Sequence, residues 1–289
     1  MDVKDIKKVC IVGGGQMGRQ IGLGCAINGF DTYVTDTIPA TVDAVAAWSA
    51  TYLAERVAKG KMTAETQETA QSHFFPVKTL EEAAKGADLV IEAIIEEKTA
   101  KQELFKKLNG IVSKDTIIAT NSSFMVSSMF VDCVDNPSRL ANFHYFNPAL
   151  VMKLIEVVQG PHTSEETAQT LLAFGKANGK TPIWVKKEID GFIANRLLRA
   201  ITNEACWLAE EGYASPQDID TAAENGLNYP MGPFRLLDFT GLDISYLSRK
   251  RQFEETGVKS PGFALFEEKY KAGELGRKTG KGFYEYPKK

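Results

Sequence analysis

An α/β fold with a doubly wound sheet, followed by an all-α C-terminal part, is the class this sequence predicts, and three observations carry it. Short apolar runs alternate with segments of helical period as far as about residue 187. A glycine string interrupts the first alternation. Beyond Glu188 helical periodicity continues with no convincing strand, which sets a boundary that divides the chain into residues 1–187 and 188–289.

Taken in order, Lys8-Val9-Cys10-Ile11-Val12 is an apolar run ended by glycines. From Gln16 to Asn28 small and apolar residues recur at helical spacing until Gly29 stops them, so the opening reads as strand, turn, helix. Thr32 to Asp36, β-branched and aromatic, is a second strand. Pro39 opens a helix to about Lys61, and a further helix, Thr63 to Ser72, precedes the apolar Phe74 to Val77. Asp88 to Ile94 is a buried-strand run, Lys98 to Leu108 a helix alternating Lys and Glu, and Thr116 to Thr120 repeats the strand pattern.

Three more strands follow at Leu140 to Phe146, Leu154 to Val158 and Ile183 to Lys186, with a helix from Ser164 to Asn178 between the last two. In the C-terminal part Asp190 is placed to cap a helix running to about Gly212, and Ser215-Pro216 starts a second. Pro233 to about Thr256 and Phe263 to Lys271 read as two more, and the basic end Lys288-Lys289 is short enough to be solvated.

Composition narrows the partners. Hydrophobic residues at 44% and charged residues at 25% match ordinary globular usage and argue against wholesale disorder. A formal net charge of -3, with no basic block, argues against nucleic acid. Cys10, Cys25, Cys133 and Cys206 are scattered without a CxxC pair, which suits reduced structural thiols, and no metal-ligand spacing occurs. The N-terminus runs straight into the first strand and no apolar stretch is long enough to span a membrane, so a cytoplasmic location is expected.

Gly13-Gly14-Gly15-Gln16-Met17-Gly18 matches G-x-G-x-x-G. Alone this string is an ordinary tight turn; between a first strand and a first helix it opens a Rossmann-type dinucleotide-binding domain. Glycine at 13, 15 and 18 permits the turn, backbone approach to a pyrophosphate and close helix packing, while Gln16 and Met17 begin a helix whose N-terminus attracts the phosphates. Asp36 closes the second strand at the offset where an acid hydrogen-bonds an adenosine ribose and repels a 2′-phosphate, so NAD is expected over NADP.

Of three histidines, His73 and His162 lie in turn-like polar surroundings and read as structural. His144 differs, because its strand ends in Asn147-Pro148 and the chain returns through Met152 to Glu156. That return puts Glu156 on a neighbouring segment, where a carboxylate would orient an imidazole and stabilise its protonated form; spacing alone permits this pairing without fixing it.

With these residues in view, the chain resembles the 3-hydroxyacyl-CoA dehydrogenase family, its short-chain 3-hydroxybutyryl-CoA dehydrogenases included. The resemblance runs through IVGGGQMG, VTD at Asp36, VIEAIIE, ATNSS, HYFNPALVMKLIEVV, GFIANRLL, MGPFRLLDFTGLD and GRKTGKGFYEY, nearly the whole chain in order. It implies a general base at His144 oriented by Glu156, and contacts to the substrate's 3-oxygen from Ser123 and Asn195. It also implies a neighbouring role for Asn147, and positions near the nicotinamide ribose for Glu96 and Lys101, with Asn121 beside the cofactor.

The implied reaction interconverts (S)-3-hydroxyacyl-CoA and 3-ketoacyl-CoA by hydride transfer, with an acyl-CoA as partner and a helical domain that supplies homodimer contacts. Arg56, Lys59 and Lys61 are candidates to meet the CoA phosphates, against the plain alternative of a solvated helix face. Ala149-Leu150 stands where the family commonly has Val-Pro, Asn121 to Phe124 varies its NTSS, and Asp190 replaces an expected Pro; these departures touch substrate fit rather than reaction type. Two alternatives stay open: a dehydrogenase of a free 3-hydroxy acid or sugar acid resembling gulonate dehydrogenase, and a non-catalytic NAD-binding structural protein.

Overall fold

In the computed structural model residues 2–287 are described; the basic pair at 288–289 lies outside them. The chain forms two compact units, one ending at Ile193 and the other beginning at Ala194.

The first unit is built on β1 (Lys8–Val12), α1 (Gln16–Ile27), β2 (Asp31–Thr35), α2 (Pro39–Ala58), α3 (Ala64–Ser72), β3 (Phe74–Pro76), α4 (Leu80–Ala84), β4 (Leu89–Glu92), α5 (Lys98–Asn109), β5 (Ile117–Thr120), β6 (Leu140–Tyr145), β7 (Leu154–Val158), α6 (Glu165–Ala177) and β8 (Thr181–Val185). The strands form one sheet in the order β3-β2-β1-β4-β5-β6-β7-β8. Neighbours are parallel except β6 and β7, which run antiparallel. Strand order reverses beside β1, so the crevice between the carboxyl ends of β1 and β4 is where an open α/β sheet takes its ligand.

Both faces of the sheet are covered, which is why β4, β5 and β6 are buried throughout rather than alternately. Side chains still alternate along β1. Val9 and Ile11 join Leu23, Val34, Leu171 and Phe174 on one face, while Cys10 and Val12 join Phe105, Leu108 and Phe130 on the other. Each such aliphatic or aromatic side chain contributes about 1.5–3 kcal/mol by leaving water, so this sandwich of helices on a sheet is the main source of rigidity under the loops.

The compact unit runs past residue 187 for a physical reason. Glu188 accepts hydrogen bonds from Ser127 and Ser128, Phe192 is buried against Val158 and Val185, and the Ile193 N–H donates to Glu156 at 2.9 Å. The 188–193 segment is thereby tied to the sheet.

The second unit holds α7 (Ala194–Glu210), α8 (Pro216–Gly226), α9 (Pro233–Thr240), α10 (Leu242–Thr256) and α11 (Phe263–Lys271) around a core of Cys206, Phe234, Leu237, Leu242 and Phe266. Two expectations need correction. Residues 190–193 form a turn with Phe192 at φ 45°, so Asp190 does not begin the helix, which starts at Ala194. The segment from Pro233 to Thr256 is two helices, because Gly241 at φ 102° turns the chain between them.

The glycines and acids of the C-terminal motifs have structural work. Asp238 accepts the N–H groups of Phe283 and Tyr284 and the Tyr286 hydroxyl, at 2.9–3.1 Å, and a Cβ on Gly276 or Gly282 would collide with it. Asp220 likewise accepts from the N–H groups of Phe234 and Arg235 and from the Tyr284 hydroxyl.

Candidate active site

The glycine string stands where the sequence put it, between β1 and α1. Gly13 takes φ 112°, and a side chain there would strike the carbonyl of Ala93; one on Gly18 would strike the carbonyl of Gly13. These two are glycines for packing. Gly15 is different, because a Cβ on it would meet nothing within 4 Å. It is the N-cap of α1 and provides no side-chain cap, so the N–H groups of the first turn are left for an anion. An open approach to an uncapped helix start fits a dinucleotide pyrophosphate. Met17 packs against the core, and Gln16 reaches across to Asn147, Nε2 to Oδ1 at 3.1 Å, joining this turn to the loop that follows β6.

Asp36 directly follows β2. Its Oδ2 accepts the Gly14 N–H at 2.8 Å and its Oδ1 the Ile38 N–H at 2.9 Å, which fixes the carboxylate beside the glycine turn.

Across the crevice, after β4, lies a polar network that sequence reading identified only in part. Glu92, fully buried, accepts from the Lys101 ammonium at 2.6 Å, the Thr120 hydroxyl at 2.6 Å and the Ile94 N–H at 2.8 Å. Lys101 also pairs with Glu96 at 3.1 Å, and the Ser122 hydroxyl donates to the other Glu96 oxygen. Burial pushes the Glu96 carboxyl up, but the Ser122 hydrogen bond and the charge of Lys101 outweigh it and hold the group below the usual carboxylate range. Glu96 remains partly exposed whereas Lys101 is buried. Glu92 had a legible signal, as the one charge inside an otherwise apolar strand. Ser122 had none beyond its neighbour.

The second cluster centres on His144. In the antiparallel β6–β7 register His144 stands directly opposite Glu156, which places both side chains on one face of the sheet. Nδ1 of His144 lies 2.9 Å from Glu156 Oε2, and Nε2 lies 2.9 Å from the Ser123 hydroxyl. Both members of the pair are buried, and the imidazole ring lies 4.6 Å from the Phe146 ring and 5.4 Å from the Phe192 ring. An ionised carboxylate only accepts, so the ring carries its proton on Nδ1 and offers the Nε2 lone pair toward Ser123. Such a geometry can take a proton from a hydroxyl held beside Ser123.

Supporting residues surround this cluster. The Asn121 side chain accepts the Tyr145 N–H at 2.9 Å, stitching the end of β5 to β6. Asn142, two residues before His144, accepts the Ser127 N–H and donates to the Met125 carbonyl, both at 2.8 Å. Asn195 is in the first turn of α7, in the helical unit.

The remaining cations are less committed to any site. Arg56 lies over the Tyr52 ring at 6.0 Å with its Nε buried and unpartnered, Lys59 pairs with Glu55 at 2.7 Å, and Lys61 is exposed. Among the described residues no group of three His, Cys, Asp or Glu is placed to hold a metal ion, and no helix is long and apolar enough to cross a membrane.

The sheet order, the glycine turn at its switch point and the braced imidazole together define a dinucleotide-dependent oxidoreductase. Residues 8–189 match the family described as 3-hydroxyacyl-CoA dehydrogenase, NAD binding domain, and residues 191–286 match its C-terminal domain. The chain belongs to the 3-hydroxyacyl-CoA dehydrogenase family and is an NAD-dependent dehydrogenase.

It is 38% identical to a probable 3-hydroxybutyryl-CoA dehydrogenase of Bacillus subtilis, covering 99% of both chains, and 37% identical to the human mitochondrial hydroxyacyl-coenzyme A dehydrogenase, covering 97% of this chain and 91% of that one. Its fold superposes with a TM-score of 0.87 on the crystal structure of (S)-3-hydroxybutyryl-CoA dehydrogenase from Ralstonia eutropha, at 34% identity and over 98% of this chain and 100% of the other.

Proposed function

We propose that this chain interconverts short (S)-3-hydroxyacyl-CoA thioesters, 3-hydroxybutyryl-CoA among them, and the corresponding 3-ketoacyl-CoA, with NAD rather than NADP as its cofactor. One observation carries the reading: a buried imidazole bonded through Nδ1 to Glu156 and through Nε2 to Ser123. Glu156 orients the ring and stabilises the imidazolium. In the oxidative direction Nε2 takes the proton of the 3-hydroxyl as its oxygen becomes a ketone, with Ser123 holding that oxygen; in the reductive direction the same imidazolium returns the proton. NAD, when bound, accepts or supplies the C3 hydride.

Gly13, Gly15 and Gly18, with the start of α1 at Gln16 and Met17, would hold the pyrophosphate, and Asp36 the adenosine ribose, where its charge opposes a 2′-phosphate. Asn121, Glu96 and Lys101 belong beside the nicotinamide ribose and Asn147 beside the substrate. Arg56, Lys59 and Lys61 are the cations proposed to meet the CoA phosphates, although Lys59 is already paired with Glu55.

The helical unit is proposed to supply Asn195 as a substrate contact and to form a homodimer. Exposed Leu197, Leu198 and Ile201 on α7, with Ile244 and Leu247 on α10, are the apolar surface that suits a second copy. A cytoplasmic location fits the four buried free thiols.

Oxidation of NADH at 340 nm with acetoacetyl-CoA, free acetoacetate and gulonate tests the reading. Turnover confined to the thioester is the expected result; preference for a free acid would favour the sugar-acid alternative. Repeating the assay with NADPH tests the cofactor.

A further inference from the structure

We infer that Glu188 is a positioning residue for the His144–Glu156 pair, acting as a latch on the segment that covers it; this rests on the proposed role of His144. Glu188 follows β8 and is half-buried. Its Oε1 accepts two hydrogen bonds from the turn after β5, from the Ser127 hydroxyl at 2.9 Å and from the Ser128 N–H at 2.8 Å. That turn is itself fixed, because the buried Ser127 gives its N–H to Asn142 on β6, the strand that carries His144.

Downstream of the latch the chain does two things to the pair. Phe192, fully buried at φ 45°, lays its ring 5.4 Å from the His144 ring, and Ile193 donates its N–H to the Glu156 oxygen that His144 does not use. A non-glycine residue in the left-handed region is held there by its surroundings. Glu188 ties down the near end of the segment through its two bonds to the turn after β5. His162 faces the same carboxylate, with Nε2 3.3 Å from the Ser127 hydroxyl, and burial keeps its pKa below the ordinary histidine value despite the charge of Glu188. His162 therefore adds no fixed cation to the latch.

Release of the segment would withdraw the Ile193 N–H from Glu156 and let water reach the imidazole as Phe192 moves off. Each change favours imidazolium, since the carboxylate bonded to Nδ1 then has one fewer donor sharing its charge and the ring is better solvated.

The test uses Glu188→Ala, with Glu188→Gln as the variant that keeps an oxygen able to accept both bonds. In the alanine protein the titration midpoint of His144, followed by NMR of labelled imidazole and assigned with His144→Gln, should rise by about 0.5–1 unit, as expected for partial loss of one hydrogen bond to a charged group. With acetoacetyl-CoA, kcat should fall about 10- to 100-fold, the size of a small misplacement, while KM for NADH stays within about two-fold because the glycine turn is untouched. The glutamine variant should restore most of both. Should the alanine protein not fold, Ser127→Ala removes one of the two donors and should give the same shift at smaller size. An unmoved His144 midpoint in a folded variant overturns the latch. If the wild-type chain turns over no thioester, the proposed reaction fails, and the imidazole titration alone still decides the role of Glu188.

Discussion

Lys101 and Glu92 form an ion pair 2.6 Å across in which both side chains are almost completely shielded from water. Glu92 receives two further donors, Thr120 and the Ile94 N–H, so its charge is fully compensated at the carboxyl end of β4. Removing the cation alone strands that charge. Lys101→Met should lower stability by about 3–5 kcal/mol in urea unfolding, and adding Glu92→Gln should recover part of the loss. Additive losses would show that the two residues do not act as a pair.

Replacing His144 by Gln keeps volume and a hydrogen-bonding end but removes the base. Turnover should drop about 10²–10⁴-fold with the affinity for NADH near normal, measured by steady-state kinetics and by fluorescence titration. Full turnover in that variant would end the assignment.

Glu96 supplies a pH dependence. Its folded pKa is held below the usual value of 4.5 by Ser122 and Lys101 against the opposing effect of burial. A carboxylate depressed on folding contributes stability above its unfolded pKa and loses it as the pH falls through the folded pKa. Wild type should therefore have the higher Tm near pH 7, and the gap to Glu96→Gln should narrow on acidification from about pH 5 downward. A gap constant between pH 7 and pH 3.5 would contradict the pairing.

Asp238 fastens the C-terminal stretch to α9 with three hydrogen bonds. Asp238→Ala leaves the N–H groups of Phe283 and Tyr284 without their acceptor. It should destabilise the helical unit by about 1–3 kcal/mol, read as earlier proteolysis near residues 280–287 and a lower melting temperature.

The thiols give a simpler check. Burial pushes Cys10, Cys25 and Cys206 up to about 12, and Cys133 is buried as well. At pH 8 a disulfide reagent should titrate essentially none of them in the native protein, and all four after denaturation.

What the sequence disclosed and what it withheld have physical causes. Strand, turn and helix from Lys8 to Thr35 were legible because side-chain period and glycine chemistry act locally. The opposition of His144 and Glu156 was only permitted by spacing, since register depends on how the loop between β6 and β7 is built. Lys101 was marked through the family resemblance as lying near the nicotinamide ribose, but nothing in its sequence neighbours foretold its burial against Glu92. The Ile193 N–H on Glu156 was invisible for another reason, as every residue but proline has that donor. Gly241 lay inside a plausible helical run, and only its left-handed backbone reveals the break.

The double anchorage of Asp36 bears on any attempt to redesign cofactor choice. Exchanging an acid at this position for a neutral or basic residue is the direct way to admit a phosphorylated ribose, yet here the same carboxylate ties down the main chain at residues 14 and 38. A retargeted variant must supply new acceptors for those two amides, or it will gain tolerance for the bulkier nucleotide while losing the preformed shape that either nucleotide needs.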